Sequence, residues 1–178
     1  DHALHLAEKV EMGYELREKV RKDTLRAVAE FDFAKPPPLV ARQISGIVTK
    51  HSGIKDPYLK EKDASTEYAR KVFEMVRDEF EKFPDRFEAL VRLAIAGNII
   101  DFGVDCNFKL ESARDKIINS FQETIDKRAL EVLRSKLESA GHVLYIMDNC
   151  GEAVFDKMLI EQYKEKITLA VRGRAILN

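Results

Sequence analysis

Two short apolar runs near the carboxyl end constrain the fold more than any other feature of this chain. The first is Val143-Leu144-Tyr145-Ile146-Met147, and the second covers residues 167–171. Neither alternates with polar residues as a half-solvated strand would. Continuous apolar runs of this length suit parallel strands buried on both faces. Residues 151–164 between them read as a helix. Strand, helix and strand within about thirty residues make a βαβ unit with a right-handed crossover. Two parallel strands alone leave faces and edges unsatisfied. The sheet is therefore expected to be completed by residues beyond Asn178 rather than by a second chain. The chain also opens on Asp1 rather than Met, so a trimmed start is expected.

Everything before this unit reads as helix. Residues 4–31 have helical periodicity, with Leu16, Val20, Leu25 and Val28 sharing an apolar stripe. Lys35-Pro36-Pro37-Pro38 breaks the chain, and Pro38 fits a first helical position, where its missing N–H costs nothing. A short helix follows and ends near Gly53. Asp56-Pro57 caps and starts another, running to about residue 83. Pro84 starts a helix holding Phe87, Leu90, Val91, Ala94 and Ile95, which ends near Gly103. Two more are expected, over residues 110–122 and 125–140, the second capped by Asp126 and ended by Gly141. The expected class is α plus α/β. A helical amino-terminal bundle over residues 1–140 precedes the start of a Rossmann-like parallel-sheet domain over residues 141–178.

Charge narrows the function. The 30 basic residues are balanced by 31 acidic ones, and charged residues make up 34% of the chain. Nucleic-acid binding needs a basic excess to neutralise phosphates, so no nucleic-acid partner is expected. No apolar run is long enough to span a bilayer and no secretory signal is present, so a cytoplasmic protein without a membrane partner is expected. Cys106 and Cys150 are too few for a disulfide framework and read as free thiols.

The residues best placed for chemistry follow the first strand. In open α/β sheets, ligands bind outside the carboxyl ends of the strands. Asp148 and Asn149 stand at such an end, and Glu152 opens the next helix. A carboxylate beside an amide oxygen offers two hard ligands for Mg²⁺ or Mn²⁺. The N–H groups of the helix start suit a phosphate oxygen. Spacing alone favours a plainer reading, in which Asp-Asn is a turn and cap pair and Glu152 answers the helix dipole. A second cluster is Asn98 and Asp101, three apart in an otherwise apolar stretch, so that on a helix they face the same way. Polar groups there need partners or a ligand. A helix end, with Asp101 bonded to nearby donors, satisfies the same pattern.

Four stretches together carry a family resemblance. They are Asp56-Pro57-Tyr58 with Lys62; Ala96-Gly97-Asn98-Ile99-Ile100-Asp101-Phe102-Gly103; residues 143–155, reading VLYIMDNCGEAVF; and residues 171–178, reading VRGRAILN. In this order the chain resembles the damage-control phosphatases, a metal-dependent family first known as a domain of unknown function, in its stand-alone archaeal and bacterial form. That resemblance implies a helical domain joined to a Rossmann-like domain. It also implies hydrolysis of phosphate monoesters of small metabolites, sugar phosphates or damaged phospho-metabolites, with Mg, Mn, Co or Ni as cofactor. Asp148 and Asn149 would ligate the metal, and Asp148 and Asp101 would be catalytic. Asn98, Glu152 and Arg172 would face the substrate, with Arg174 a further basic candidate. A family Asp that binds metal follows the position matching Asn178. A homo-oligomer is compatible with all of this.

Other readings are weaker. A haloacid-dehalogenase type of phosphatase needs a second Asp two residues after the first, where Cys150 stands. Cys150 itself reads as packing. A nicotinamide enzyme needs a Gly-rich turn, and Gly151 stands alone. A carboxyl methyltransferase and an inactive helical interaction module remain alternatives. No HExxH, paired CxxC or P-loop is present. His2 and His5 could share a helix face and bind a metal ion, but at a frayed end they read as surface residues, and His51 and His142 lack recognisable catalytic partners. Tyr58 and Lys62, four apart, read equally as an exposed helical pair or as packing near the site.

Overall fold

The structure is a computed structural model that describes residues 2–99 and 110–172. The described residues form eight α-helices and a two-stranded parallel sheet. The helices are α1 His2–Lys9, α2 Tyr14–Ala29, α3 Pro38–Ser52, α4 Leu59–Lys82, α5 Arg86–Ile99, α6 Leu110–Gln122, α7 Lys127–Ser139 and α8 Glu152–Gln162. Strands β1 Val143–Ile146 and β2 Ile167–Ala170 pair from Val143 opposite Ile167 to Ile146 opposite Ala170. None of the described helices is long and apolar enough to cross a membrane. The chain divides into two compact units, one up to Lys60 and one over Glu61–Arg172.

In the first unit, the single helix expected over residues 4–31 is two. Glu11 takes a left-handed conformation with φ 54°. Its N–H donates to the Glu8 carbonyl at 2.9 Å, and the Met12 N–H donates to the Ala7 carbonyl at 3.0 Å. This is a Schellman ending in which a glutamate holds the place glycine usually takes, and Met12 and Ala7 are both buried in the same apolar cluster. The shared stripe is also narrower than expected. Val20 is buried, whereas Leu25 and Leu16 are exposed. The core of this unit is Ala3, Ala7, Met12, Val20, Val48 and Tyr58. Tyr58 is therefore not an exposed partner of Lys62. It precedes α4, its N–H donates to the Asp56 carboxylate at 2.9 Å, and the Lys9 ammonium lies 4.7 Å from its ring centre. Pro38 opens α3, and Gly53 ends it at φ 72°, as the sequence suggests.

In the second unit, α5 buries Phe87, Ala89, Leu90, Val91, Leu93 and Ala96, and with them the charged Glu88 and Arg92, so most of its surface lies in the core. Asp85 caps it, accepting the Glu88 N–H at 3.1 Å. Asp126 caps α7 by accepting from the N–H groups of Arg128 and Ala129. That helix ends at Ser139, with Ala140 already extended, before Gly141 is reached.

Helix α8 packs closely on α5, and Gly97 is the reason it can. A Cβ at Gly97 would lie 2.9 Å from the Phe155 Cβ and 2.9 Å from its ring. The Phe155 Cβ is fixed to the backbone, so rotation of the side chain gives no relief. Gly97→Ala is expected to lower stability by about 1–2 kcal/mol, overpacking outweighing the roughly 1 kcal/mol that Ala gains as a helix former. Chemical denaturation measures this directly. An unchanged or raised midpoint would mean that α5 and α8 separate at no cost.

The strands differ from expectation in one respect. Their sequences suggest burial on both faces, yet Leu144 is 60% and Ile146 75% exposed. The alternate positions Val143 and Tyr145 are partly buried, and Tyr145 packs on the main core. One face is thus covered and the other open among the described residues.

Candidate active site at the carboxyl end of β1

The turn after β1 is organised by a buried carboxylate. The turn into α8 is held by Asn149, whose Oδ1 accepts the Glu152 N–H at 2.8 Å. The Asn149 carbonyl then takes the Ala153 N–H at 3.4 Å, and the Gly151 carbonyl takes that of Val154 at 3.3 Å. Glu152, 3% exposed, folds back under the turn. Its Oε1 accepts the Asp148 N–H. Its Oε2 accepts the Asn149 Nδ2 at 3.3 Å and, from α5, the Asn98 Nδ2 at 2.8 Å. The Asp148 carboxylate points outward, about half exposed, and pairs with the guanidinium of Arg172 just past β2.

Five of the six site residues picked out in the sequence therefore meet in one bonded cluster: Asn98, Asp148, Asn149, Glu152 and Arg172. Asp101, the sixth, lies outside the described residues, as do Arg174, Cys106 and the helix end expected near Gly103. The helix start differs from expectation. The N–H groups of Glu152, Ala153 and Val154 already have partners within the turn. The Cys150 Sγ contacts the Lys62 carbonyl at 3.5 Å, consistent with a packing role. His51 bonds to Asp23 at 2.9 Å and so ties α3 to α2, and His142 contacts the Thr168 hydroxyl at 3.0 Å.

A pocket of about 470 Å³ opens beside the cluster, lined by Ala94, Asn98, Tyr145, Ile146, Glu152 and Asp156 among others. Asp156 and Tyr145 were not singled out in the sequence. Asp156 is 4% exposed, one helical turn after Glu152 and on the same face of α8. Burial raises its carboxyl to about 6, the Tyr145 hydroxyl lowers it by hydrogen bonding, and the Glu152 charge adds to the rise. Burial, and after it the charge of Asp156, holds the Tyr145 phenol well above its usual range. The signal available in the sequence was the four-residue spacing of two acids within the apolar stretch EAVFDKMLI.

The donor chemistry of the cluster fits a hard divalent cation. A reachable carboxylate, Asp148, adjoins an amide, Asn149, whose Oδ1 spends one lone pair on the helix cap and keeps the other. Among the described residues no three His, Cys, Asp or Glu side chains converge to complete such a site.

The described residues are mostly helical, end in a parallel βαβ unit and gather polar residues at the carboxyl end of its first strand. Residues 2–178 match the damage-control phosphatase ARMT1-like domain, and the chain belongs to this family. It is 35% identical over 143 residues to a damage-control phosphatase of Archaeoglobus fulgidus, covering 78% of this chain and 49% of that protein. A damage-control phosphatase of Pyrococcus horikoshii is 35% identical over 133 residues, covering 72% of this chain and 45% of its own length. An uncharacterized protein of Methanocaldococcus jannaschii is 30% identical over 174 residues, covering 91% and 56%. The crystal structure of a DUF89 family protein from Pyrococcus horikoshii superposes with a TM-score of 0.73 at 29% identity, covering 96% of this chain and 58% of that one. The chain thus spans about half the length of the curated relatives it matches.

Proposed function

We propose that this chain carries part of the active site of a metal-dependent phosphatase that hydrolyses phosphate monoesters of small metabolites, sugar phosphates or damaged phospho-metabolites. One observation carries the reading: Asp148 projects outward at the carboxyl end of β1, beside the helix-capping Asn149, with Arg172 at its carboxylate. In this reading residues 141–178 open a Rossmann-like domain after a helical domain over residues 1–140. The parallel pairing of β1 with β2 around α8 supports it.

Asp148 and Asn149 would hold the cation, with Mg, Mn, Co and Ni as candidates. When bound, such an ion neutralises charge developing on the phosphoryl oxygens and lowers the pKa of water. Arg172 contributes a fixed positive charge for the phosphate, and its fork matches two phosphate oxygens. Asn98 reaches the cluster from α5, and Asp148 or Asp101 is the proposed base or nucleophile. The setting for this chemistry is the cytoplasm, and a homo-oligomer is compatible with it.

The test is phosphate release from sugar phosphates and an aryl phosphate by the full-length protein with each metal, against chelator and Asp148→Ala controls. Metal-dependent release that falls at least about tenfold in the variant is expected. Release that persists in Asp148→Ala at saturating metal would remove Asp148 from the site. A folded protein inactive with every metal would favour the interaction module or the methyltransferase.

A further inference from the structure

Glu152 offers almost no surface to a substrate, yet it touches every polar residue of the turn. Its two carboxylate oxygens accept from three N–H groups: the Asp148 backbone, the Asn98 amide at 2.8 Å and the Asn149 amide at 3.3 Å. A carboxylate that only accepts has a consequence for its neighbours. It can face only the nitrogen ends of Asn98 and Asn149, so it decides which end of each planar amide is oxygen and which is nitrogen. The Asn149 oxygen is thereby turned to the helix cap, with a lone pair remaining. The Asn98 oxygen is turned away from Glu152. The bond from the Asp148 N–H fixes the backbone from which the exposed Asp148 carboxylate projects.

We infer that Glu152 is a positioning residue: its buried carboxylate orients Asn149 and Asp148 as cation ligands and locks the turn after β1 to α5 through Asn98. It does not itself contact the phosphate. This inference rests on the metal-dependent reading above. Interactions that orient ligands from behind typically change metal affinity by about 10–100-fold when lost. Here the loss has a defined chemical form. Glu152→Gln keeps the volume but makes one end of the head a donor. In either orientation that NH₂ meets the Asp148 N–H or the two asparagine amides. The strain is relieved most easily by turning Asn149, which presents nitrogen where oxygen is required.

The experiment is Mn²⁺ binding to the full-length protein, followed by electron paramagnetic resonance, for wild type and Glu152→Gln, with circular dichroism to verify the fold. Kinetics are then run at saturating Mn²⁺. The expected result is a dissociation constant for Mn²⁺ raised about tenfold or more in a folded variant, with turnover partly restored by excess metal. A residue needed only for stability would leave the Mn²⁺ affinity of the folded fraction unchanged, and that outcome overturns the inference while leaving the phosphatase reading intact. If Glu152→Gln does not fold, Asn98→Ala decides. It removes one donor to the same carboxylate, and weaker Mn²⁺ binding supports the inference where wild-type affinity overturns it. A wild-type protein that neither binds Mn²⁺ nor releases phosphate with any metal defeats the phosphatase reading, and the inference with it.

Discussion

Replacing Arg92 by alanine is expected to lower the stability of the unit over Glu61–Arg172 by about 3–5 kcal/mol, the cost of breaking a buried ion pair from one side. Arg92 and Glu88 lie one turn apart on α5 and both are buried. The guanidinium donates from Nε to Glu88 Oε1 at 2.9 Å, and from Nη1 to the carbonyls of Ser120 and Glu123 at 2.7 and 2.8 Å. It therefore neutralises a carboxylate and closes the carboxyl end of α6, where positive charge is favoured. Alanine leaves three acceptors without this donor and empties the volume beside Phe83, whose ring the guanidinium faces at 5.8 Å. Lys127 still reaches Glu88, but its own side chain is largely exposed.

The discriminating comparison is the double replacement Glu88→Leu with Arg92→Met. It removes the charge together with its partner, and it should cost less than Arg92→Ala alone, which leaves a buried anion paired with the exposed Lys127 only. Urea titration of both variants provides the measurement. A loss below about 1 kcal/mol for Arg92→Ala would show that water reaches Glu88 and that the pair is effectively a surface one.

That pair also shows where sequence reading reaches its limit. Charges in a helix are ordinarily solvated, and nothing local to α5 marks Glu88 and Arg92 as buried. Their burial follows from α6 and α7 packing across them, which is a tertiary fact. Features governed by local chemistry were legible. The break at Pro36-Pro37-Pro38, the Gly53 ending and the Asp126 cap were all read from residue type and spacing. The βαβ unit was legible because two apolar runs flank one helix. The split between α1 and α2 was hidden because a glutamate occupies the left-handed position that glycine would have advertised. At the site, Asp148, Asn149 and Glu152 were visible as a motif, but the plain and functional readings of Asn149 turn out to share an atom. Its Oδ1 accepts the Glu152 N–H, and in the proposed function the same oxygen would hold the cation. Sequence spacing could not reveal that Asn98, 54 residues away, closes the same cluster.

Asp156 makes a second large prediction, with a sign opposite to that of most carboxylates. Its folded-state pKa of about 6 stands above the ordinary value of 3.8, chiefly through burial. Between pH 4 and 6 the folded protein therefore holds a proton that the unfolded chain has released. Its contribution to stability is full below about pH 4 and is lost as pH rises through 6. The expected loss across this window is on the order of 1–3 kcal/mol, the range reflecting how far water in the adjoining open pocket screens the charge. Asp85 and Glu88 act the other way. The Glu88 N–H holds Asp85 below its usual range, and the Lys127 ammonium does the same for Glu88. Their stabilisation is present above their ordinary values of 3.8 and 4.5 and is lost as pH falls through their lowered ones. Asp156→Asn mimics the protonated form, so it should match wild type near pH 4 and exceed it progressively to pH 7. Tyr145→Phe removes the hydrogen bond that favours the ionised carboxylate and should move the transition to higher pH. Unfolding midpoints of the three proteins, measured from pH 4 to 7.5, separate the effects. A difference between wild type and Asp156→Asn that stays constant with pH would show that Asp156 is hydrated and titrates normally, and that the pocket beside β1 is wetter than its lining implies.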